Sequence, residues 1–281
     1  MKTRTITAAY ITLVTVPLII FSKYIIYAIA LAALSIMAAF EILRVLKLER
    51  IWHISVPAYI LASLLPFACY FVTDDMTYLY LLTIAGLLFA YLIYLMGVAV
   101  FSKGRISVST IGVIFLLVTY VVMSFSSLSM IRYMDKETGL YRLVLVFIAA
   151  WITDTMAYLV GSLIGKHKLI PEISPKKTVE GSVGGVVGAL LGFLLFGLIL
   201  DLSVEGLYVN YIALAIFALI LSVVSQIGDL IASLIKREHG VKDYSNLLPG
   251  HGGIMDRFDS ILAVSTVLLI LTLIVPPFVL I

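Results

Sequence analysis

Cysteine and histidine are scarce in this chain of 281 residues, which has one cysteine, Cys69, and four histidines. An intrachain disulfide cannot form, and a zinc centre built from Cys and His has too few candidate ligands. Charge is scarce as well, at 12% of residues, against roughly 25% in an ordinary soluble domain. There is no long linker, no low-complexity tract and no convincing internal repeat. Many secondary transporters are built from two related halves, so the missing repeat weighs against a carrier. The opening Met-Lys-Thr-Arg followed by apolar residues resembles a signal peptide, but no small-residue cleavage pattern follows it, so the segment is expected to remain as a first span.

Hydrocarbon is what the chain has in abundance: 62% of its residues are hydrophobic. Apolar runs of about the length that crosses a bilayer as a helix fall at residues 6–21, 24–40, 54–72, 78–101, 107–131, 141–164, 181–200, 207–235 and 260–281. They predict an all-α, polytopic membrane bundle of about nine helices. Lys and Arg accumulate in cytoplasmic loops. With the N-terminus cytoplasmic, fifteen of the nineteen basic residues fall inside and four outside. Residues 1–145 read as membrane spans with ordinary loops, for lipid access or an oligomer interface. Residues 146–281 carry the polar chemistry and two cytoplasmic loops, and are expected to form the catalytic region. Cys69, within a span, is expected to be a buried and inert thiol.

Two spans carry polar seams. Ser222, Gln226, Asp229, Ser233 and Lys236 recur at steps of three and four and share one helical face. A carboxylate facing lipid costs ~2.5–3.5 kcal/mol, so Asp229 is expected to face the bundle or a hydrated cavity, although such a seam can also be simple hydrogen-bonded packing. Asp154, Tyr158, Gly161 and Gly165 form a second stripe, in which Asp154 either binds a cation or pairs with a basic residue. Gly181, Gly184, Gly185, Gly188 and Gly192 read as helix-packing residues that serve a contact within the chain or with a second copy. Glu41 is either a functional acid or a partner for a nearby arginine such as Arg44, and the sequence favours the local pair.

The densest charge lies between Ser233 and Asp259, where four cations and four carboxylates interrupt the apolar pattern. Three glycines within Gly250 to Gly253 preclude regular helix and can aim backbone N–H groups at a phosphate. Lys236, Arg237, Lys242 and Arg257 add positive charge, and Asp256 and Asp259 stand three apart at a helix start. With Asp229 they could offer oxygen ligands to Mg2+. The earlier loop, Ser174-Pro-Lys-Lys-Thr178, sets Lys176 and Lys177 beside hydroxyls that can grip an anionic group. The same residues could equally form a basic loop attracted to lipid headgroups. Gly161-Ser-Leu-Ile-Gly-Lys-His167 is one residue short of a phosphate loop and ends wrongly for one.

These blocks resemble the phosphatidate cytidylyltransferases, also called CDP-diacylglycerol synthases. The resemblance rests on Ser233, Lys236-Arg237, Lys242-Asp243, Leu248-Pro249-Gly250-His251-Gly252-Gly253-Ile254 and Asp256-Arg257-x-Asp259. Asp154-Thr-x-Ala-Tyr158, Ser174-Pro-Lys-Lys-Thr-Val-Glu-Gly181 and Gln226-x-Gly-Asp229 precede these in the order of that family. It implies a nucleotidyl transfer from CTP to phosphatidate, giving CDP-diacylglycerol and pyrophosphate at the inner membrane. The implied ligands for Mg2+, with room for a second cation, are Asp229, Asp256 and Asp259, with Asp154 as a further candidate. Lys236, Arg237, Lys242, Arg257 and the Gly250 to Gly253 turn are expected to hold the triphosphate. Ser174, Lys176 and Lys177 are expected at the triphosphate or the lipid phosphate. Asp243, Asp154 and His251 belong to the site without an assigned role, and a homodimer is an expected assembly. The rival readings are an ion carrier using Asp154 and Asp229, a transferase consuming CDP-lipids, and a structural subunit; only the family signature accounts for the His-Gly-Gly turn.

Overall fold

The computed structural model describes residues 13, 15–248, 250 and 252–281. Half of the expected first span, residues 6–21, therefore lies outside the described residues, as do Pro249 and His251. Among the described residues eight helices are long and apolar enough to cross a membrane. They are α1 (Ile25–Val45), α2 (Trp52–Ala68, continued by a short 3-10 turn), α3 (Thr77–Phe101), α4 (Val108–Tyr133), the pair α5 (Gly139–Phe147) and α6 (Thr153–Ile164), α7 (Val179–Ser203), α8 (Tyr211–Glu238) and α9 (Met255–Ile274). Large apolar side chains point outward, Leu163 at 80% and Leu202 at 79% exposure. In water such a surface invites association; against hydrocarbon, where every backbone group must be paired within the protein, it is the stable arrangement.

The all-α expectation needs a correction. Two short antiparallel ribbons close the ends of helices: β1 (Lys168–Ile170) with β2 (Ser174–Thr178), and β3 (Leu207–Val209) with β4 (Phe278–Leu280). The first pairs Lys168 with Thr178 and Ile170 with Ser174 across a bulge. The Ser-Pro-Lys-Lys-Thr segment, read from the sequence as a loop, is thus a strand. Proline before Lys176 disfavours helix for its neighbour and is tolerated on an edge strand. The expected eighth and ninth spans shift accordingly, the eighth starting after β3 and the ninth ending before β4.

Contacts divide the chain into two compact units, Met1–Asp135 with Asp243–Arg257, and Lys136–Lys242 with Phe258–Ile281. In the first unit α1 packs on α2 and α4, and α4 also on α2 and α3. Cys69 is fully buried and free, 2.8 Å from the Tyr80 hydroxyl, as expected of an inert thiol. Arg132 is buried at the end of α4, its Nε donating to Ser22 Oγ at 2.8 Å.

In the second unit α6 lies along α7, and α7 along α8. Glycine is what permits the first contact: a methyl group added to Gly181 would strike the Ala157 carbonyl, and one on Gly185 the Thr153 carbonyl. Gly184, Gly188 and Gly192 likewise meet Val160, Met156 and Ile152. The expected packing role is what the structure shows, and this glycine face is used within the chain. A π-helical turn, Ile148–Ile152, joins α5 to α6 just before Asp154. Such turns insert one residue into a helix and often mark functional positions.

Candidate active site

Elements of the second unit, with β1 and the start of α7 completing the wall, build a cavity of about 290 Å³ that gathers charged side chains. Helix α6 contributes Asp154 and Tyr158, β2 contributes Lys176, Lys177 and Thr178, and α8 contributes Gln226 and Asp229. Each is held by local chemistry. Thr178 is the N-cap of α7, its Oγ1 accepting from Gly181 N at 3.1 Å, so β2 and α7 are joined at a fixed angle. Glu180 in the first turn of α7 holds the other strand's approach, accepting from His167 N at 3.2 Å and lying 2.6 Å from His167 Nδ1.

Lys177 enters from this rigid corner. Its Nζ lies 2.5 Å from Asp229 Oδ2 and donates to the Gln226 carbonyl at 3.4 Å. The Gln226 side chain donates to the Ser182 and Ser222 carbonyls, both at 3.3 Å, tying α8 to α7 and to its own preceding turn. The α8 seam therefore grades along its length: Ser222 is a buried packing residue, Gln226 is buried and ties helices together at the cavity wall, and Asp229 is half-buried and reaches the cavity. On α9, Ser260 Oγ donates to Asp154 Oδ2 at 3.2 Å, and Asp259 Oδ1 accepts from Ser260 N at 2.8 Å. Gly228 allows this approach, since a Cβ there would meet Ala263 and the Asp259 carbonyl.

Asp154, Asp229 and Asp259 lie close enough for their charges to interact, and Lys236 acts on Asp259 from α8. Three carboxylates repel one another, and a lysine or a divalent cation relieves that repulsion. Among the described residues no three His, Cys, Asp or Glu side chains converge as a ready-made metal cage. Mg2+ does not require one: it is usually held by one or two carboxylates and completes its octahedron with water and substrate phosphate. Hard carboxylate oxygens in a cavity that also holds two lysines able to face a phosphate fit that ion.

The second polar loop, within the first unit, is organised by two acids. Glu41 on α1 is 2% exposed. Its Oε1 accepts from Ser245 Oγ at 2.6 Å and Ile254 N at 2.9 Å, and its Oε2 from Met255 N at 2.8 Å. Asp256, also buried, accepts on Oδ2 from Tyr244 N at 2.8 Å and Gly253 N at 2.9 Å. Glu41 thus serves the N–H groups at the start of α9 that have no partner within the helix, where negative charge is favoured. The expected pair with Arg44 is corrected: among the described residues no ion pair joins them, because the loop's N–H groups and the Ser245 hydroxyl occupy the carboxylate.

At the end of the glycine turn, the N–H of Gly253 points at Asp256, and those of Ile254 and Met255 just beyond it at Glu41, so these three donors are taken up by the protein's own carboxylates. Gly250 and Gly252 adopt φ of 77° and 80°, which side chains rarely tolerate. A Cβ on Gly252 would collide with the Asp256 carboxylate, and one on Gly253 with that of Glu41. Lys242, Asp243 and Arg257 are exposed, as are Arg237 and Lys176, while Ser174 and Lys236 are half-buried. Glu41 is the loop-organising residue whose partners sequence reasoning did not find; its one signal was an acid deep in an apolar run.

The sequence model described as "Cytidylyltransferase family" matches residues 2–275. The chain belongs to this family. Among the relatives of this cytidylyltransferase-family protein is one named phosphatidate cytidylyltransferase from Bacillus subtilis (strain 168), 38% identical over 270 residues that cover 94% of each chain. A protein of the same name from Staphylococcus saprophyticus is 36% identical over 277 residues, covering 96% of this chain and 98% of its own. One from Staphylococcus epidermidis is 34% identical over 271 residues, with the same two coverages.

Proposed function

We infer that the protein is a phosphatidate cytidylyltransferase, which makes CDP-diacylglycerol and pyrophosphate from CTP and phosphatidate. The observation that carries this is similarity along 94% of both chains to a relative bearing that name. The cavity between α6, β2 and α8 supports it with the residue types the reaction needs.

An oxygen of the phosphatidate phosphate attacks the α-phosphorus of CTP. A new P–O bond forms, the anhydride bond between the α and β phosphates breaks, and pyrophosphate leaves with the electron pair. Phosphatidate is already anionic near neutral pH, so no strong general base is required. Bringing two polyanions together is the larger barrier, and preorganised positive charge lowers it.

Lys177 has three N–H donors. Two go to Asp229 and the Gln226 carbonyl, and we assign the third to a substrate phosphate, with Lys176 beside it. Lys236, Arg237, Lys242 and Arg257 are proposed to hold the remaining triphosphate charge. Asp154, Asp229 and Asp259 are proposed to hold Mg2+, which when bound would neutralise charge developing on the departing pyrophosphate. The two backbone bonds to Asp256 fix the direction of its carboxylate, as outer bonds do for ligating acids. Asp256 is accordingly proposed both to set the loop and to offer an oxygen to a cation. Ser174 is proposed at the edge of the phosphate site, as the first residue of the strand that presents both lysines.

Membrane placement follows the Lys and Arg distribution. The β1–β2 ribbon and the Asp243–Arg257 loop are proposed to face the cytoplasm, where CTP is available, while phosphatidate arrives laterally from the leaflet. The test is conversion of phosphatidate by purified protein in detergent, with and without Mg2+, following CDP-diacylglycerol and pyrophosphate together. Stoichiometric formation of both is the expected result. A folded protein that binds lipid but forms neither overturns the reading.

A further inference from the structure

A cavity of about 870 Å³ in the first unit plays no part in the chemistry described above. It lies where α3 ends and the chain turns into α4, and the start of α2 forms its other wall. Lys103 and Arg105 line it together with His53 and Ser102 on the polar side, and Phe101 and Val98 on the apolar side. No carboxylate is among its lining residues.

The turn itself is specific. Lys103 takes a φ of 56° and Gly104 one of 77°, and the Ser102 hydroxyl accepts from Ile106 N at 3.2 Å. The left-handed conformation at Lys103 is uncommon for a residue with a side chain. Across the cavity, Tyr94 donates to the His53 carbonyl at 2.8 Å, which joins α3 to α2. Phe101 is 87% exposed and Trp52, beside His53, 73%; aromatic rings of this kind collect at the headgroup level of a bilayer. Both Lys103 and Arg105 are exposed, and among the described residues neither has an ion-pair partner.

We propose that this cavity binds an anionic phospholipid of the surrounding bilayer. Its phosphodiester lies against Lys103 and Arg105, and an acyl chain runs along Phe101 and Val98. Charge complementarity selects an anionic headgroup, since two unpaired cations at a membrane surface attract one. The volume selects a bulky headgroup over a bare phosphate, which would leave most of the space empty. Ser102 and His53 supply hydrogen-bonding groups for headgroup hydroxyls. The occupant is therefore a bulk phosphodiester lipid.

The test is native mass spectrometry of the purified full chain titrated with phosphatidylglycerol, phosphatidylcholine or phosphatidate of matched chains. Thermal unfolding reports the fold of each variant independently of turnover. The wild-type chain is expected to retain phosphatidylglycerol over phosphatidylcholine. Lys103→Gln/Arg105→Gln should reduce that preference by roughly thirtyfold, the scale of two headgroup-facing cations. Lys47→Gln/Arg50→Gln, removing equal charge from another loop, should leave it intact. Should the double variant unfold, Arg105→Gln alone gives the same readout with a smaller loss. Equal losses in the two double variants, or no preference in the wild type, overturn the proposal. So does a stronger retention of phosphatidate that Lys103→Gln/Arg105→Gln abolishes, which would make the cavity a substrate port.

Discussion

Lys177 Nζ stands 2.5 Å from Asp229 Oδ2, which joins the β2 strand to the middle of α8. The pair lines the cavity that also contains Asp154. Lys177→Met removes the cation while keeping most of the stem. Turnover is expected to fall by roughly 10²–10³, the scale for losing one preorganised charge-stabilising group. Steady-state kinetics check this. Combining it with Asp229→Asn should cost much less than the product of the single losses, because the two side chains share one interaction.

Mg2+ removal gives a second expectation. Chelation should abolish CDP-diacylglycerol formation, and added Mg2+ should restore it. Asp229→Ala and Asp259→Ala should stay inactive at any Mg2+ concentration. Asp154→Asn, which keeps an oxygen acceptor for Ser260, should instead raise the Mg2+ needed for half-maximal rate. A metal titration of each variant separates the two behaviours.

Glu41 is expected to act on stability and loop order rather than on the reacting atoms. Glu41→Ala leaves three donors without their acceptor in a buried place. The cost should be about 2–4 kcal/mol, since hydrogen bonds to charged groups contribute about 1.5–3 kcal/mol each and relaxation recovers part of the loss. Glu41→Gln keeps one oxygen and should lose less. A thermal unfolding series, with limited proteolysis between Asp243 and Arg257, measures both effects.

The glycine contact between α6 and α7 makes a fourth expectation. Gly181→Val and Gly185→Val should each destabilise by about 1–3 kcal/mol through overpacking. Gly181→Val should also reduce turnover, because that glycine adjoins Thr178 and the strand bearing Lys177. Gly86→Ala, where added atoms meet nothing within 4 Å, serves as the neutral control in the same unfolding assay.

Some of this was legible without coordinates because it is local. Twenty-residue hydropathy marks a membrane helix, and steps of three and four place Ser222, Gln226 and Asp229 on one face. Steric demand is local too, so the glycines of α7 announced a close helix contact, though not which helix would fill it. The β1–β2 ribbon was not legible. Three or five residues carry too little alternation to separate a short strand from a loop, and its pairing depends on how α7 is capped.

What the sequence by itself determined was the class: a polytopic membrane protein with its polar residues gathered in a few blocks of family-like spacing. Tertiary structure alone decided which polar groups meet. Glu41 reaches Ile254 across 213 positions, and Lys177 reaches Asp229 from a different element. Neither partner lies within one helical turn of the other, so no local periodicity records the match. A buried carboxylate is satisfied by whichever donors the fold delivers, and in this fold the donors are the first N–H groups of α9, not the nearby arginine that proximity in sequence suggested.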